Sequence, residues 1–137
     1  MRDHFSVLVE GRPAPQGSKS YKGNGRFVEA SKYLPAWRSA IVEACKHEFV
    51  ESQCVEMFTG PVRLEVTFFI DRPQRPKAEF PITPPDLDKL VRGVCDSLTQ
   101  AKVWVDDSLV VSLRADEVYT GSKTYPVSGA RNTVTAL

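Results

Sequence analysis

The sequence has few of the residues that hold disulfide-rich or zinc-binding domains together. Its 137 residues include three cysteines and two histidines, and Cys45, Cys54 and Cys95 form no Cys-x-x-Cys pair. This odd, scattered set argues against a disulfide framework and against a zinc site. His4 and His47 have no ligand spacing to each other. Any bound metal is therefore expected to be a hard cation held by oxygen atoms.

Long apolar runs are also missing. No stretch approaches the roughly 20 residues needed to cross a bilayer, and the N-terminus leads into a short alternating segment instead of a signal-peptide core. We therefore expect no membrane segment and a cytoplasmic location. A hydrophobic content of 42% and a charged content of 26% are ordinary for a globular protein. Together with the length, they predict one domain over residues 1–137.

Excess charge of either sign is absent, since the net charge is only +1. The charges are nevertheless unevenly placed. Residues 11–40 contain six Lys or Arg residues against one acid, Glu29, and a second basic group follows at Arg72, Arg75 and Lys77. The acids are concentrated in residues 43–56 and 86–107. Separated basic and acidic surfaces suit a protein that binds both phosphates and a metal, although many other proteins have them.

The hydrophobic pattern predicts alternating strands and helices. Strands are expected at residues 5–10, 62–70, 109–119 and 133–137, and helices at 34–50 and from about residue 86 to the Asp96-Ser-Leu-Thr99 segment. Residues 11–33 are rich in Gly, Pro and Ser and are predicted to be a long loop. Residues 71–85 form a proline-rich basic connector. This order predicts an α+β domain, with two main helices packed on a small mixed sheet.

The acidic block carries the most informative spacing. Asp86 and Asp88 open the second helix, with Arg92 one turn after Asp88, and Asp106-Asp107 follow the helix after a short return. If that return runs back along the helix, it brings a third carboxylate towards Asp86 and Asp88. Converging carboxylates repel one another unless a cation compensates their charge.

A hard divalent cation would satisfy such a site. Mg²⁺ prefers carboxylate and water oxygens and often shares its site with a substrate phosphate. Three aspartates and one phosphodiester carry a charge that two Mg²⁺ ions would balance, although the pattern does not decide between one and two ions. The chemistry predicted for the site is phosphodiester hydrolysis by an activated water, with Arg92 stabilising the developing charge on the phosphate.

Each of these residues also has an ordinary structural interpretation. Asp86 can cap the helix, Asp88 and Arg92 can form an i,i+4 ion pair, and Asp106-Asp107-Ser108 can be a plain turn. Spacing alone does not separate these interpretations from the catalytic one.

Three motifs in order resemble the RusA family of Holliday-junction resolvases. They are Pro85-Asp-Leu-Asp-Lys-Leu90, Asp96-Ser-Leu-Thr99 and Val103-Trp-Val-Asp-Asp-Ser-Leu-Val-Val111. The Pro15-Gln-Gly-Ser-Lys19 segment, followed by Trp37-Arg38, is similar to the N-terminal half of actinobacterial and phage members. The resemblance spans nearly the whole chain and is tightest over residues 85–111.

The resemblance implies a homodimeric, Mg²⁺-dependent endonuclease, with Mn²⁺ as a substitute, that nicks two opposed strands of a four-way DNA junction. It implies catalytic metal-site roles for Asp86, Asp88 and Asp107, with Asp106 as a secondary acid. Arg92 occupies the place of the family's usual lysine; it keeps the charge but cannot donate a proton. The two alternatives are a non-catalytic module that binds branched DNA and a metal-dependent nuclease that prefers flaps or single strands.

The basic residues are predicted to contact DNA phosphates. Solvated surface charge is the other interpretation of each one. Tyr21, Phe27 and Tyr33 are interleaved with them and are candidates for stacking on unpaired bases or for packing within the loop. Trp37 and Trp104 are predicted to lie in the core or at a dimer interface. The predicted phosphate contacts are Lys19, Lys22, Arg26, Lys32, Arg72, Arg75 and Lys77.

Overall fold

The computed structural model describes residues 2–17, 19–21, 23, 27–29, 31–121 and 126–137. Two long helices and four main strands account for most of them. The strands are β1 (His4–Glu10), β2 (Lys19–Tyr21), β3 (Phe27–Glu29), β4 (Val62–Ile70), β5 (Val110–Tyr119) and β6 (Gly129–Ala136). The helices are α1 (Leu34–Ser52), α2 (Leu87–Gln100) and a short 3₁₀ helix at Asp107–Leu109.

The main sheet has the strand order β1-β6-β4-β5. Strands β4 and β5 run parallel, while β6 is antiparallel to both of its neighbours, β1 and β4. The sheet is therefore mixed, and the predicted α+β class with two main helices is confirmed.

The connection through α2 determines where the functional residues lie. A parallel pair such as β4 and β5 needs a crossover, and α2 supplies it. The crossover returns the chain, so α2 begins near the ends of β4 and β5. Strand β1 ends at this edge too, because Glu10 and Phe69 are both register partners of Gly129. We call this border, marked by Glu10, Ile70 and Tyr119, the carboxyl edge of the sheet.

The core lies between one face of the sheet and the two helices. Alternate residues of β1 and β4 point into it, in agreement with the predicted period of two. Trp37 of α1 and Trp104 are each only 1% exposed, so both are core residues. The Trp104 Nε1 donates to Thr99 Oγ1 at 2.7 Å, which fastens the chain after α2 to the end of that helix.

Two predicted boundaries are corrected. The segment 11–33, predicted to be a loop, contains the two-stranded antiparallel ribbon of β2 and β3, which its glycines and serines concealed. Strand β6 begins at Gly129, four residues before the predicted start at Thr133. Its first residues are Gly-Ala-Arg-Asn, which have little intrinsic strand preference. They adopt strand structure because they pair with β1 on one side and β4 on the other.

Within the described residues, no helix combines the length and apolar character needed to span a membrane.

Candidate active site

Asp86 lies at the start of α2, where its side chain is exposed. It occupies the N-cap position, but its side chain makes no capping hydrogen bond. Its carboxylate instead lies 3.8 Å from the Lys89 ammonium, an exposed pair worth little in stability. The capping interpretation of the Asp86 side chain is therefore wrong for this structure. Asp88, in the first turn of the same helix, is also exposed.

A fourth acid, Glu117 of β5, approaches Asp86 and was missed from the sequence. Glu117 is the register partner of buried Phe68 and so points towards the helix side of the sheet. Its Oε2 is buried and has no hydrogen-bond partner among the described residues. Burial, with a further contribution from the Asp86 carboxylate, raises the pKa of Glu117 to about 7. The available sequence signal was an acid on the inward face of β5, after Leu113 and Ala115.

Asp107 lies outside α2 but beside it, at a point further from the helix N-terminus than Asp86. It is exposed at the start of the 3₁₀ helix. Its position is indicated by Cys95, because burial, together with the nearby carboxylates of Asp107 and Asp96, raises the pKa of that thiol to about 12. Cys95 lies two turns after Asp88, roughly 10 Å along the helix axis. The chain therefore returns beside α2, but Asp107 comes alongside its middle turns and not at the N-terminal end, where the sequence predicted that it would converge with Asp86 and Asp88.

Asp106 has a structural task. Its Oδ2 accepts a hydrogen bond from the Ser108 backbone N–H at 3.0 Å and caps the 3₁₀ helix. The bonds from Ser108 lower the pKa of Asp106. The turn interpretation therefore describes Asp106 well.

Arg92 lies beside the N-terminal loop, and no ion pair within 4.0 Å joins it to Asp88 among the described residues. A Cβ added at Gly17 would lie 3.0 Å from the Arg92 Nη1, and Gly17 has a φ of +92°. The Gln16 N–H donates to the Lys89 carbonyl oxygen at 3.0 Å. The loop thus crosses α2 at Lys89 and Arg92 and brings the basic N-terminal segment to the start of this helix.

The donor chemistry of the site fits a hard divalent cation. Its oxygens belong to carboxylates, and the unpartnered Oε2 of Glu117 beside Asp86 is the kind of buried atom that a cation would satisfy. In the part of the chain that the structure describes, no three His, Cys, Asp or Glu side chains are grouped closely enough to hold a metal.

A cavity of about 470 Å³ opens beside Asp86. The loop after β1, the residues before α1 and the start of α2 form its walls. Arg12 stacks over the Tyr33 ring, with its guanidinium carbon 3.6 Å from the ring centroid, and the Lys32 ammonium lies 5.2 Å from the same centroid. A second cavity of about 340 Å³ lies between the same Arg12 and the connector 71–85.

The predicted phosphate contacts lie partly around these cavities. Lys32 lines the first one, whereas Arg72, Arg75 and Lys77 are exposed in the connector that borders the second. Five further candidates lie outside the described residues or side chains. They are the predicted phosphate contacts Lys19, Lys22 and Arg26 and the aromatic candidates Tyr21 and Phe27.

Comparison with known families defines the class of protein. A family model described as endodeoxyribonuclease RusA matches residues 10–127. The chain therefore belongs to the RusA endodeoxyribonuclease family and is an enzyme that cleaves DNA.

Two curated relatives have a similar extent. One is an uncharacterized protein, YqaN, of Bacillus subtilis strain 168, which is 28% identical over 135 residues. The other is the crossover junction endodeoxyribonuclease RusA of Lactococcus phage r1t, which is 27% identical over 124 residues. Each alignment covers 86% of this chain and 89% of the relative.

Proposed function

We propose that the protein resolves four-way DNA junctions by Mg²⁺-dependent hydrolysis of one phosphodiester in each of two opposed strands. The observation that carries this proposal is the match to a relative named crossover junction endodeoxyribonuclease, in a chain whose carboxyl edge places Asp86 close enough to Glu117 to raise its pKa and in one cavity with Arg12 and Lys32. Such an edge binds the anionic DNA backbone on either side of an acidic centre.

The cation would be held by Asp86, Asp88 and Asp107, with Glu117 as an additional oxygen donor beside Asp86 and Asp106 as a secondary acid. When bound, Mg²⁺ would supply the Lewis acid and the acidified water that phosphodiester hydrolysis needs. Mn²⁺, which also favours carboxylate and water ligands, is expected to replace it.

The basic residues of the chain bind and orient the phosphate. Arg92 is exposed at the edge of α2 and lies beside Gly17, where its fork of N–H donors can stabilise negative charge as it develops on the phosphate. Lys89, one turn earlier, adds a second positive charge near Asp86. Arginine keeps its proton at any physiological pH, so its role here is electrostatic and not proton transfer.

The more distant basic residues position the arms of the junction. Contacts to phosphates carry no sequence information but fix the orientation of the nucleic acid. We assign this role to Lys19, Lys22, Arg26 and Lys32 and to the connector residues Arg72, Arg75 and Lys77. A two-fold homodimer would present one such site to each of two opposed strands.

A substrate comparison tests this function. Labelled four-way junctions, flaps, single strands and plain duplexes of shared sequence are incubated with the protein in Mg²⁺, in Mn²⁺ and in EDTA. We expect nicks in the junction with either metal ion, none in EDTA and little cutting of the other three substrates.

Two other results would overturn the proposal. Binding of junctions without cutting in either metal ion would identify a non-catalytic branched-DNA-binding module. Cutting of flaps or single strands at the same rate as junctions would identify a broader metal-dependent nuclease.

A further inference from the structure

The cavity beside Asp86 has the walls of a site for a flat ring. Five of its lining residues are the prolines and alanine Pro13, Ala14, Pro15, Pro84 and Pro85, which present apolar surface without hydrogen-bonding side chains. Its volume of about 470 Å³ falls within the range of roughly 300–1,000 Å³ found for small-molecule sites.

One wall carries a stacking platform. The Tyr33 ring is 38% exposed, and the Arg12 guanidinium lies 3.6 Å from its centroid. Nucleobases stack on both aromatic rings and guanidinium planes. The Tyr33 side chain makes no capping hydrogen bond to α1, although Tyr33 occupies its N-cap position. Its ring is therefore free of a structural role in that cap.

The charges at the rim are those that a nucleotide needs. Lys32 and Lys89 line the cavity and can contact backbone phosphates, and the Ser31 hydroxyl is available to a base edge. Asp86 belongs to the same lining. A base in the cavity would therefore belong to a nucleotide next to the phosphate at the carboxylates.

We propose that this cavity binds one unstacked nucleobase next to the scissile phosphate, with the base on the platform of Tyr33 and Arg12. The inference rests on the proposed function and extends it to substrate selection. Continuous duplex resists extrusion of a base, which costs a few kcal/mol, whereas the branch point of a junction already interrupts the stacking. The cavity therefore favours branched DNA over duplex.

The test combines loss of the ring with loss of the base. Binding is measured by anisotropy in Ca²⁺ for end-labelled junctions, either intact or with a single base removed at successive positions around the branch point. We expect Tyr33→Ala to weaken binding of the intact junction roughly tenfold. At one position, removal of the base should abolish most of that difference between wild type and variant.

Matched variants make the result specific. The loss of affinity caused by Arg12→Ala should disappear at the same base-removal position. Tyr33→Phe should bind every junction as the wild type does. Phe80→Ala removes an aromatic ring that is 56% exposed outside the cavity and should show no such dependence. Circular dichroism confirms the folding of each variant. If Tyr33→Ala does not fold, Arg12→Ala against Tyr33→Phe gives the same comparison.

The contrary result is a Tyr33→Ala penalty of equal size at every position, or no penalty at all. Either would overturn the nucleobase site. Nicking of junctions by the wild type in Mg²⁺ together with such a flat profile would leave the proposed function standing. A position-dependent penalty on junctions that are never cut would retain the site and overturn the proposed function.

Discussion

At the scale of single residues, the site is built from side chains that local structure does not use. Asp86 sits at a helix N-cap without capping it, and the buried Oε2 of Glu117 has no partner. Buried polar atoms normally find a hydrogen bond, so an unpartnered carboxylate oxygen costs stability unless a ligand satisfies it. Asp106 differs from these two residues, because its Oδ2 accepts a hydrogen bond from the Ser108 backbone N–H.

Gly17 is expected to control the position of Arg92. Gly17→Ala introduces both a strained backbone at φ +92° and a Cβ that would lie 3.0 Å from the guanidinium. Misplacing a group that contacts the phosphate should slow junction cleavage roughly ten- to hundredfold in single-turnover assays. Gly23→Ala is the control, since Gly23 has a φ of +84° but its Cβ would meet no described atom within 4 Å. Equal rates for the two variants would exclude this role for Gly17.

Glu117 is expected to make the metal-free protein less stable at alkaline pH. Its pKa is raised to about 7 from 4.5, so the folded chain binds more protons than the unfolded chain between these values. Stability is therefore greatest below the lower value and is lost as the pH rises through the upper one. In EDTA, thermal unfolding should show Glu117→Gln above wild type at about pH 8, with a smaller difference at about pH 5.

Asp116→Asn provides the comparison for Glu117→Gln. Asp116 is the preceding residue, and its side chain is 52% exposed in a pair with Arg114. Its removal should leave the pH profile of stability close to that of the wild type. Parallel profiles for wild type and Glu117→Gln would show that the Glu117 carboxyl is not held in an unfavourable environment.

At the scale of elements, periodicity predicted the parts of the chain that pack on the core. Strand β4 has the predicted bounds, and α2 shows the predicted apolar stripe, with Leu90, Val94 and Leu98 fully buried. Burial of every second or every third to fourth residue imposes these patterns directly on the sequence. Asp86 and Asp88 could therefore be placed at the start of α2 in advance.

The partners of these residues could not be predicted because they depend on strand order. Asp86 comes near Glu117 because β4 and β5 are parallel neighbours and α2 is the crossover that connects them. Sequence spacing contains no information about that adjacency. For the same reason, the alanine and asparagine of β6 became strand residues, since their pairing comes from β1 and β4 on either side.

The pairing of β1 with β6 offers a stability test at this scale. A Cβ at Gly129 would overlap the Val9 carbonyl oxygen, so Gly129→Ala must move backbone in the sheet. We expect a loss of roughly 2–4 kcal/mol in the free energy of unfolding by urea titration. Gly60→Ala, where a Cβ would meet no described atom within 4 Å, should stay within about 0.5 kcal/mol of wild type. A similar loss in both variants would contradict the close approach at Gly129.

At the scale of the whole molecule, the net charge is small, but the positive side chains are clustered. A net charge of +1 would not attract DNA by itself. The basic connector and the residues before α1 border the cavities at the carboxyl edge, which places positive groups around the acidic centre. Attraction of the phosphate backbone to such a patch depends on its local charge and not on the total.

Paired cleavage is expected if the protein acts as a homodimer with two sites. A supercoiled plasmid that extrudes a cruciform should then become linear, because both strands are cut within one binding event. Gel electrophoresis separates that product from nicked circles. Accumulation of nicked circles alone would contradict paired cleavage. A sedimentation mass of the protein–DNA complex equal to one junction plus one 15.3 kDa chain would contradict the dimer.

The measurement that tests the catalytic assignment most directly is the single-turnover rate of junction cleavage by Asp88→Asn in Mg²⁺. Asp96→Asn, on the same helix and outside the proposed metal ligands, is the matched control, and junction affinity in Ca²⁺ is measured for both. We expect Asp88→Asn to bind the junction with near wild-type affinity and to cut it slower by roughly a hundredfold or more, with Asp96→Asn close to wild type. Cleavage by Asp88→Asn at the wild-type rate would contradict the assignment of the active site to the start of α2.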